Sequence, residues 1–468
     1  MNNSKLINIL YSFSSKEKRR CRDWIACPIN NQRQDVCDLY DFLWEMELKE
    51  QYLTKNLAWA TIYPKETYTD GKMRQIIHRL LNAVEGFLIH EQLQTKESRR
   101  AILLAESLKE RTLFKELNQV LKNTQKNVQK EALQNWDSLR LNYELETLHF
   151  NASEQAQRTS ALNLQELSDA LDIQYFADKL RKACLLYSRL VVFKMNYQPK
   201  MLAVVLEQVK ELDYLKIPAI GLYYYCYLAF TDTQKADQHF QKMMDYLKEY
   251  APQFPPHEIR ELYLLAINYT IKKLNDNSRW HLEKAFELYQ TGITEGYLLE
   301  QGIITPFTYS NMVSIGIQME QYEWVEDFLQ EYKDKINLEY RESIFQECLA
   351  KLYYAQKKYK KAQQLLVQIQ VKDILRILSC KVMLLRIYYE TSEFEALESL
   401  LDSLKMYLRR KDVVGYHKKN YNNITKYMQK LIRVNPFDKQ AKQKLKAEIL
   451  ETNILATKKW MLEQLEQL

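Results

Sequence analysis

Residues Leu349–Leu366 read LAKLYYAQKKYKKAQQLL, and Leu384–Leu401 read LLRIYYETSEFEALESLL. The two stretches superpose with a period of 35. Tyr353-Tyr354 falls on Tyr388-Tyr389, Tyr359 falls on Phe394, and Ala362 lies beside Ala396. A third copy, Met312–Leu329 (MVSIGIQMEQYEWVEDFL), stands 37 residues earlier, with Ile317 at the Tyr354 position and Tyr322 at the Tyr359 position. Self-similarity at such a period is the signature of a repeat architecture.

Each copy is an apolar-periodic helix, a short polar break, an aromatic residue and a second apolar-periodic helix. The breaks are Met319-Glu320-Gln321, Gln356-Lys357-Lys358 and Thr391-Ser392-Glu393. A break this short brings two helices side by side and antiparallel. The aromatic after the turn is expected to wedge between them, and a small residue such as Ala362 to let them approach. One hairpin cannot bury its whole apolar face, so hairpins must stack on their neighbours.

Leu349, Ala350, Tyr353, Tyr354, Tyr359 and Ala362 resemble the tetratricopeptide repeat (TPR). The chain departs from that pattern too. Glu320, Lys357 and Ser392 stand where the turn glycine is usual, the terminal proline is absent from all three copies, and Leu397 takes an alanine place. The clear resemblance covers roughly Tyr309–Arg410. It implies an all-α, right-handed α-solenoid of antiparallel hairpins whose first helices line a concave groove. The residues it points into that groove are Ser310, Ser314, Gln318, Glu347, Lys351, Arg386 and Glu390.

Weaker hairpins extend the array upstream. Pro256–Leu274 and Arg279–Gly292 flank Asn275–Ser278; Pro218–Phe230 and Thr233–Tyr250 flank Thr231-Asp232; Tyr175–Phe193 and Lys200–Leu212 flank Asn196–Pro199. Pro and Gly collect at Gln253–Pro256 and Gly292–Gly302, which read as joints. The first 95 residues read as a small helical domain. Ser14–Glu17 is a capping box, Arg33–Lys49 a helix, and Asp70 opens a long helix with Met73, Ile76, Ile77, Leu80, Leu81, Val84, Phe87 and Leu88 on one face. Long polar helices over about Lys96–Leu121 and Asn127–His149 connect it (96–150) to the repeats (151–410), and 411–468 reads as a basic helical cap. FSSKEKRR…ACPINN with LDIQYFADKLRKACLLYSR is also similar to a bacterial protein family of similar length with no assigned activity.

Composition supports the all-helical reading. Eight glycines and nine prolines in 468 residues are about a third of ordinary usage, too few for a β-rich or nucleotide-binding fold of this size. The seven cysteines, Cys21, Cys27, Cys37, Cys184, Cys226, Cys348 and Cys380, have no framework spacing, which predicts reduced thiols and a cytoplasmic location. The longest aromatic-apolar run, Ile217–Phe230, is too short to span a bilayer, so no membrane partner is expected. Among 33 tyrosines, Tyr223-Tyr224-Tyr225 and Tyr227 share one helix, and some of them are expected to reach solvent or the groove.

No enzyme motif emerges. The glycines give neither GxGxxG nor GxxxxGK, no GxSxG elbow occurs, and His257-Glu258-Ile259-Arg260-Glu261 lacks the second His of a zinc helix. Cys21, Cys27 and Cys37 have no CxxC spacing and no nearby His, so they read as structural thiols. No catalytic residue, cofactor or metal is expected. The leading reading is a scaffold that takes a protein or peptide partner in the groove. The alternative is a nucleic-acid-associated regulator. Lys405–Glu448 carries thirteen Lys/Arg against three Asp/Glu, a charge of +10 beside −3 for the rest of the chain, and either this segment or the N-terminal domain would touch phosphates.

Overall fold

A computed structural model describes residues 4–48, 53–131, 133–156, 162–193, 199–274, 278–369, 373–410 and 415–468. Among them lie 23 α-helices and one two-stranded sheet, so the chain is all-α. It divides into two compact units, Met1–Asp178 and Lys179–Leu468.

In the first unit, α1 (Lys5–Tyr11), α2 (Ser15–Ala26), α3 (Gln34–Leu48), α4 (Lys55–Ile62) and α5 (Asp70–Thr95) share one core. The Ser14–Glu17 capping box forms: the Ser14 N–H donates to Glu17 Oε2 at 2.8 Å and the Glu17 N–H to Ser14 Oγ at 3.3 Å. α5 buries Met73, Ile76, Leu80, Val84 and Phe87, with Ile77, Leu81 and Leu88 half-buried at the edge. The long helix expected over Lys96–Leu121 is broken in two. Thr112 turns into the left-handed region (φ 58°), which separates α6 (Glu97–Glu110) from α7 (Phe114–Glu131). With α8 (Trp136–Ala156) these two close around Ile102, Ala105, Leu117, Leu121, Leu145, Leu148 and Ala152. The residues expected to connect two domains therefore build a core of their own. The division between units falls inside α9 (Leu164–Phe193).

The second unit continues with α10 (Leu202–Glu211), α11 (Pro218–Thr231), α12 (Ala236–Tyr250), α13 (Pro256–Leu274), α14 (Arg279–Thr294), α15 (Pro306–Gln318), α16 (Tyr322–Glu331), α17 (Arg341–Ala355), α18 (Tyr359–Gln368), α19 (Ile374–Glu390) and α20 (Phe394–Arg410). Helices pack in sequential pairs: α11 on α12, α13 on α14, α15 on α16, α17 on α18 and α19 on α20. First helices also meet, α11 against α13 and α15 against α17. Five of the six expected hairpins are thus present, and the joint expected at Gly292–Gly302 holds a hairpin of β1 (Leu299–Glu300) and β2 (Ile303–Ile304). The connections at 275–277 and 194–198 lie outside the described residues.

The turns of the three clear repeats are alike in their main chain. Glu320, Lys357 and Ser392 adopt φ of 59°, 57° and 59°. In each, the residue after the turn position donates back five residues: Gln321 N to Gly316 O (2.9 Å), Lys358 N to Tyr353 O (2.8 Å) and Glu393 N to Tyr388 O (2.8 Å). A shorter bond closes inside it, as from Lys357 N to Tyr354 O at 2.9 Å. This is the Schellman helix end, in which a left-handed residue satisfies the last carbonyls. The α6–α7 turn repeats it, with Leu113 N donating to Leu108 O at 3.0 Å.

Two expectations about aromatic residues are corrected. Phe394 is not a buried wedge. It is 45% exposed and meets Tyr389 edge-on at 6.2 Å, because the first residue of a second helix sits at the turn, above the seam. The seam itself is filled one turn further on by Val325, Ala362 and Leu397, all fully buried. The second expectation is corrected only in part: Tyr223, Tyr224 and Tyr225 are buried, while Tyr227 is half-buried. α11 is packed by α12, by α13 and by the turn at Tyr214–Lys216, so it is covered on most of its circumference. Gly221 lets that turn approach: a Cβ there would lie 2.4 Å from Leu215 O.

α21 (Gly415–Arg433), α22 (Lys439–Glu451) and α23 (Lys458–Gln467) close the unit. Ile424, Met428, Leu431, Ile449 and Met461 join Leu385, Leu397, Leu401 and Leu404 in one core. Among the described residues no helix is long and apolar enough to cross a membrane.

Candidate functional site

Six of the seven residues that the repeat pattern points to fall into two polar clusters on the first helices of the three repeats. In the first, Lys351 of α17 donates through Nζ to Ser310 Oγ of α15 at 2.7 Å and pairs with Glu347 Oε1 at 3.2 Å. Arg376 of α19 donates from Nε to the other oxygen, Glu347 Oε2, at 2.8 Å, and from Nη1 to Ser343 Oγ at 3.4 Å. Ser314 turns inward and donates to the Ser310 carbonyl at 2.8 Å. Glu347, expected to face a partner, is buried as the hinge of this seam. Gln318, at the end of α15, is exposed.

Two cations share one carboxylate here, and Arg376 Nη2 is buried with no hydrogen-bond partner among the described residues. The flanking thiols add no negative charge. Burial pushes Cys348 up to about 11 and Cys380 up to about 12, because a thiolate loses its hydration there. The seam therefore holds a surplus of positive charge and a spare planar N–H, which suits a carbonyl or carboxylate.

The second cluster surrounds Glu390 at the end of α19. Its carboxylate accepts from the Tyr354 hydroxyl, from the Tyr359 hydroxyl and, at 2.6 Å, from Trp460 Nε1. Arg386 lies over the Tyr354 ring at 4.7 Å and the Trp460 ring at 5.2 Å, a cation–π sandwich. Its Nε is buried and unpartnered. Arg386 and Glu390 are thus covered by α23, which carries Trp460.

Sequence reasoning missed Arg376 and Trp460. A signal for Arg376 existed: the 35-residue period aligns it with Arg341, which donates to the Asp334 and Ile336 carbonyls in the preceding repeat. The same period aligns Lys351 with Arg386, so the second and third repeats carry a cation there, where the first has Ser314. No comparable signal marks Trp460, which lies beyond the repeats.

The other candidates resolve as structural. Glu258 is fully buried and accepts from the Tyr223 hydroxyl at 2.7 Å. Cys21 is buried, and Cys27 and Cys37 are partly so. Among the described residues no cluster of His, Cys, Asp and Glu could hold a metal ion. Compared with protein-family models, with curated proteins and with solved structures, the chain matches none.

Proposed function

We propose that this chain is a non-catalytic binding module. Its hairpins would stack as a divergent TPR-like solenoid, and the first helices α15, α17 and α19 would present a groove to a peptide or helix of a partner protein. The observation that carries this reading is the seam of Ser310, Lys351, Glu347 and Arg376. It crosses three successive repeats, and its cations outnumber its carboxylate. Such a seam favours an extended segment bearing an acidic side chain or free carbonyls, held by a few polar clamps.

Selection from a displayed random peptide library, followed by calorimetry on the full chain, tests the proposal. Two variants probe the seam without stripping Glu347 of both partners. Arg376→Lys keeps the charge but loses the spare planar nitrogen, and Ser314→Trp puts a bulky side chain one turn beyond Ser310 on α15. Each should weaken a selected peptide about tenfold or more while the helical circular dichroism stays unchanged. Peptides bound equally well by both variants would sink the assignment of the groove. A second reading, contact with nucleic acid, is favoured by a separate feature of the C-terminal helices.

A further inference from the structure

α21 carries five Lys/Arg residues and no Asp or Glu: Lys418, Lys419, Lys426, Lys430 and Arg433. Three of them, Lys426, Lys430 and Arg433, recur at helical spacing and so share one face. That face meets Lys444 of α22 across an open cleft of about 440 Å³, floored by Val434, Ala441 and Leu445. Its only carboxylate is Glu448, which Lys430 takes as an ion-pair partner. The Lys430 hydrogen bond, joined by the fields of Lys426 and Lys444, holds Glu448 below the usual carboxylate range, so these lysines converge on one spot. Lys426, Arg433 and Lys444 are exposed and have no ion-pair partner of their own among the described residues.

The turn that joins α21 to α22 adds a second element. Phe437 sits in it, between the lining residues Val434 and Ala441 in sequence, and is 92% exposed. A lone exposed ring on a surface means little. Here the turn is closed by hydrogen bonds on either side of it: Phe437 N donates to Asn435 Oδ1 at 3.0 Å, and Asp438 caps α22 by accepting from Ala441 N at 2.9 Å. The ring thus stands in solvent on the connection between the two helices that line the cleft.

We propose that the α21–α22 cleft is a binding site for single-stranded nucleic acid, with Lys426, Arg433 and Lys444 taking successive phosphates and Phe437 stacking on a base. Cations that track a backbone, paired with an aromatic platform, are what a strand with unpaired bases requires. An acidic peptide would use the lysines, whereas a strand with unpaired bases uses both the lysines and the ring. The site lies apart from the groove residues of α15, α17 and α19 in sequence and in its lining, so it stands independently of the peptide reading.

The test is fluorescence anisotropy on the full chain with a labelled, mixed-sequence single-stranded RNA about 15 nucleotides long, titrated from about 50 to 200 mM salt. Each phosphate neutralised on a single strand contributes a slope of about −0.7 in log affinity against log salt. The triple variant Lys426→Ala, Arg433→Ala, Lys444→Ala should bind about tenfold or more weakly, with the slope shallower by about 2. Phe437→Ala should lose about fivefold with the slope unchanged. All four side chains are exposed, and an unaltered melting transition confirms that the variants fold. No binding by the wild type at the lowest salt would overturn the proposal, as would a triple variant within twofold of it. So would competition by poly-glutamate as strong as by unlabelled RNA, combined with a silent Phe437→Ala, since that pattern marks a surface for acidic proteins.

Discussion

Lys357, Ser392 and Glu320 each hold a left-handed backbone with a side chain attached. A Cβ in that region costs roughly 1–2 kcal/mol, against which glycine's greater freedom in the unfolded chain is a smaller loss. Lys357→Gly, Ser392→Gly and Glu320→Gly should therefore each stabilise the protein by about 1 kcal/mol in urea denaturation. Lys357→Ala, which keeps the Cβ, should change it by under about 0.5 kcal/mol. Gly316 poses the opposite case. A Cβ there would stand 2.5 Å from Val325 Cγ2, across the seam of its own hairpin. Gly316→Ala should cost about 1–3 kcal/mol by overpacking, and Val325→Ala in the same chain should recover part of it.

At the scale of the helix pair, depth in the seam decides what each side chain contributes. Leu397 is fully buried where Phe394 is 45% exposed. Leu397→Ala should cost about 2–5 kcal/mol, and Phe394→Ala far less, both measured by chemical denaturation. Equal costs would mean that the aromatic is the wedge after all. A different bond ties three helices upstream. Asp237 of α12 accepts from the Tyr269 hydroxyl of α13 and from the His281 ring of α14. Burial pushes its carboxyl up, but these two partners outweigh burial and hold it below the usual range. A carboxylate depressed in the folded state adds stability above its unfolded pKa, near 3.9, and loses it as pH falls through the lower folded value. Wild type should therefore lose stability below about pH 4 more steeply than Asp237→Asn in an acid titration followed by circular dichroism. The hairpins themselves were legible in the sequence because apolar periodicity and polar breaks are local. Their seams were less so. Phe394 and Leu397 are both apolar and three residues apart, and only packing tells which of them the partner helix covers.

Across the second unit, the last helices close what the repeats leave open. Trp460 spans 70 positions to reach Glu390, and its ring completes the sandwich around Arg386. Trp460→Phe keeps an aromatic but removes a hydrogen bond to a charged group, worth about 1.5–3 kcal/mol. In a stack where each repeat touches mainly its neighbours, that loss should stay near the end. Hydrogen exchange should quicken in α19 through α23 while α11–α14 keep their protection; uniform acceleration would argue for a single cooperative core. The sequence marked 411–468 as a basic cap but gave no hint of this contact, since a tryptophan outside the period has no register to align it. The candidate site was legible in part for the same reason. Lys351 and Arg386 recur with the period, whereas Glu347 has no counterpart in the next repeat, where Val382 stands. That it lies inside the seam is decided by Arg376 arriving from the following helix.

The turn at Thr112 has a consequence for inheritance. Its bonds from Thr112 and Leu113 back to Lys109 and Leu108 are the same main-chain closure found at Lys357 and Ser392, yet no residue type is shared among the three positions. A corner sealed by backbone alone places almost no demand on spelling. Copies of such a hairpin can drift until no letter is held in common while the bend itself is transmitted intact, so kinship between distant copies would be preserved in torsion angles after it has been erased from the alphabet.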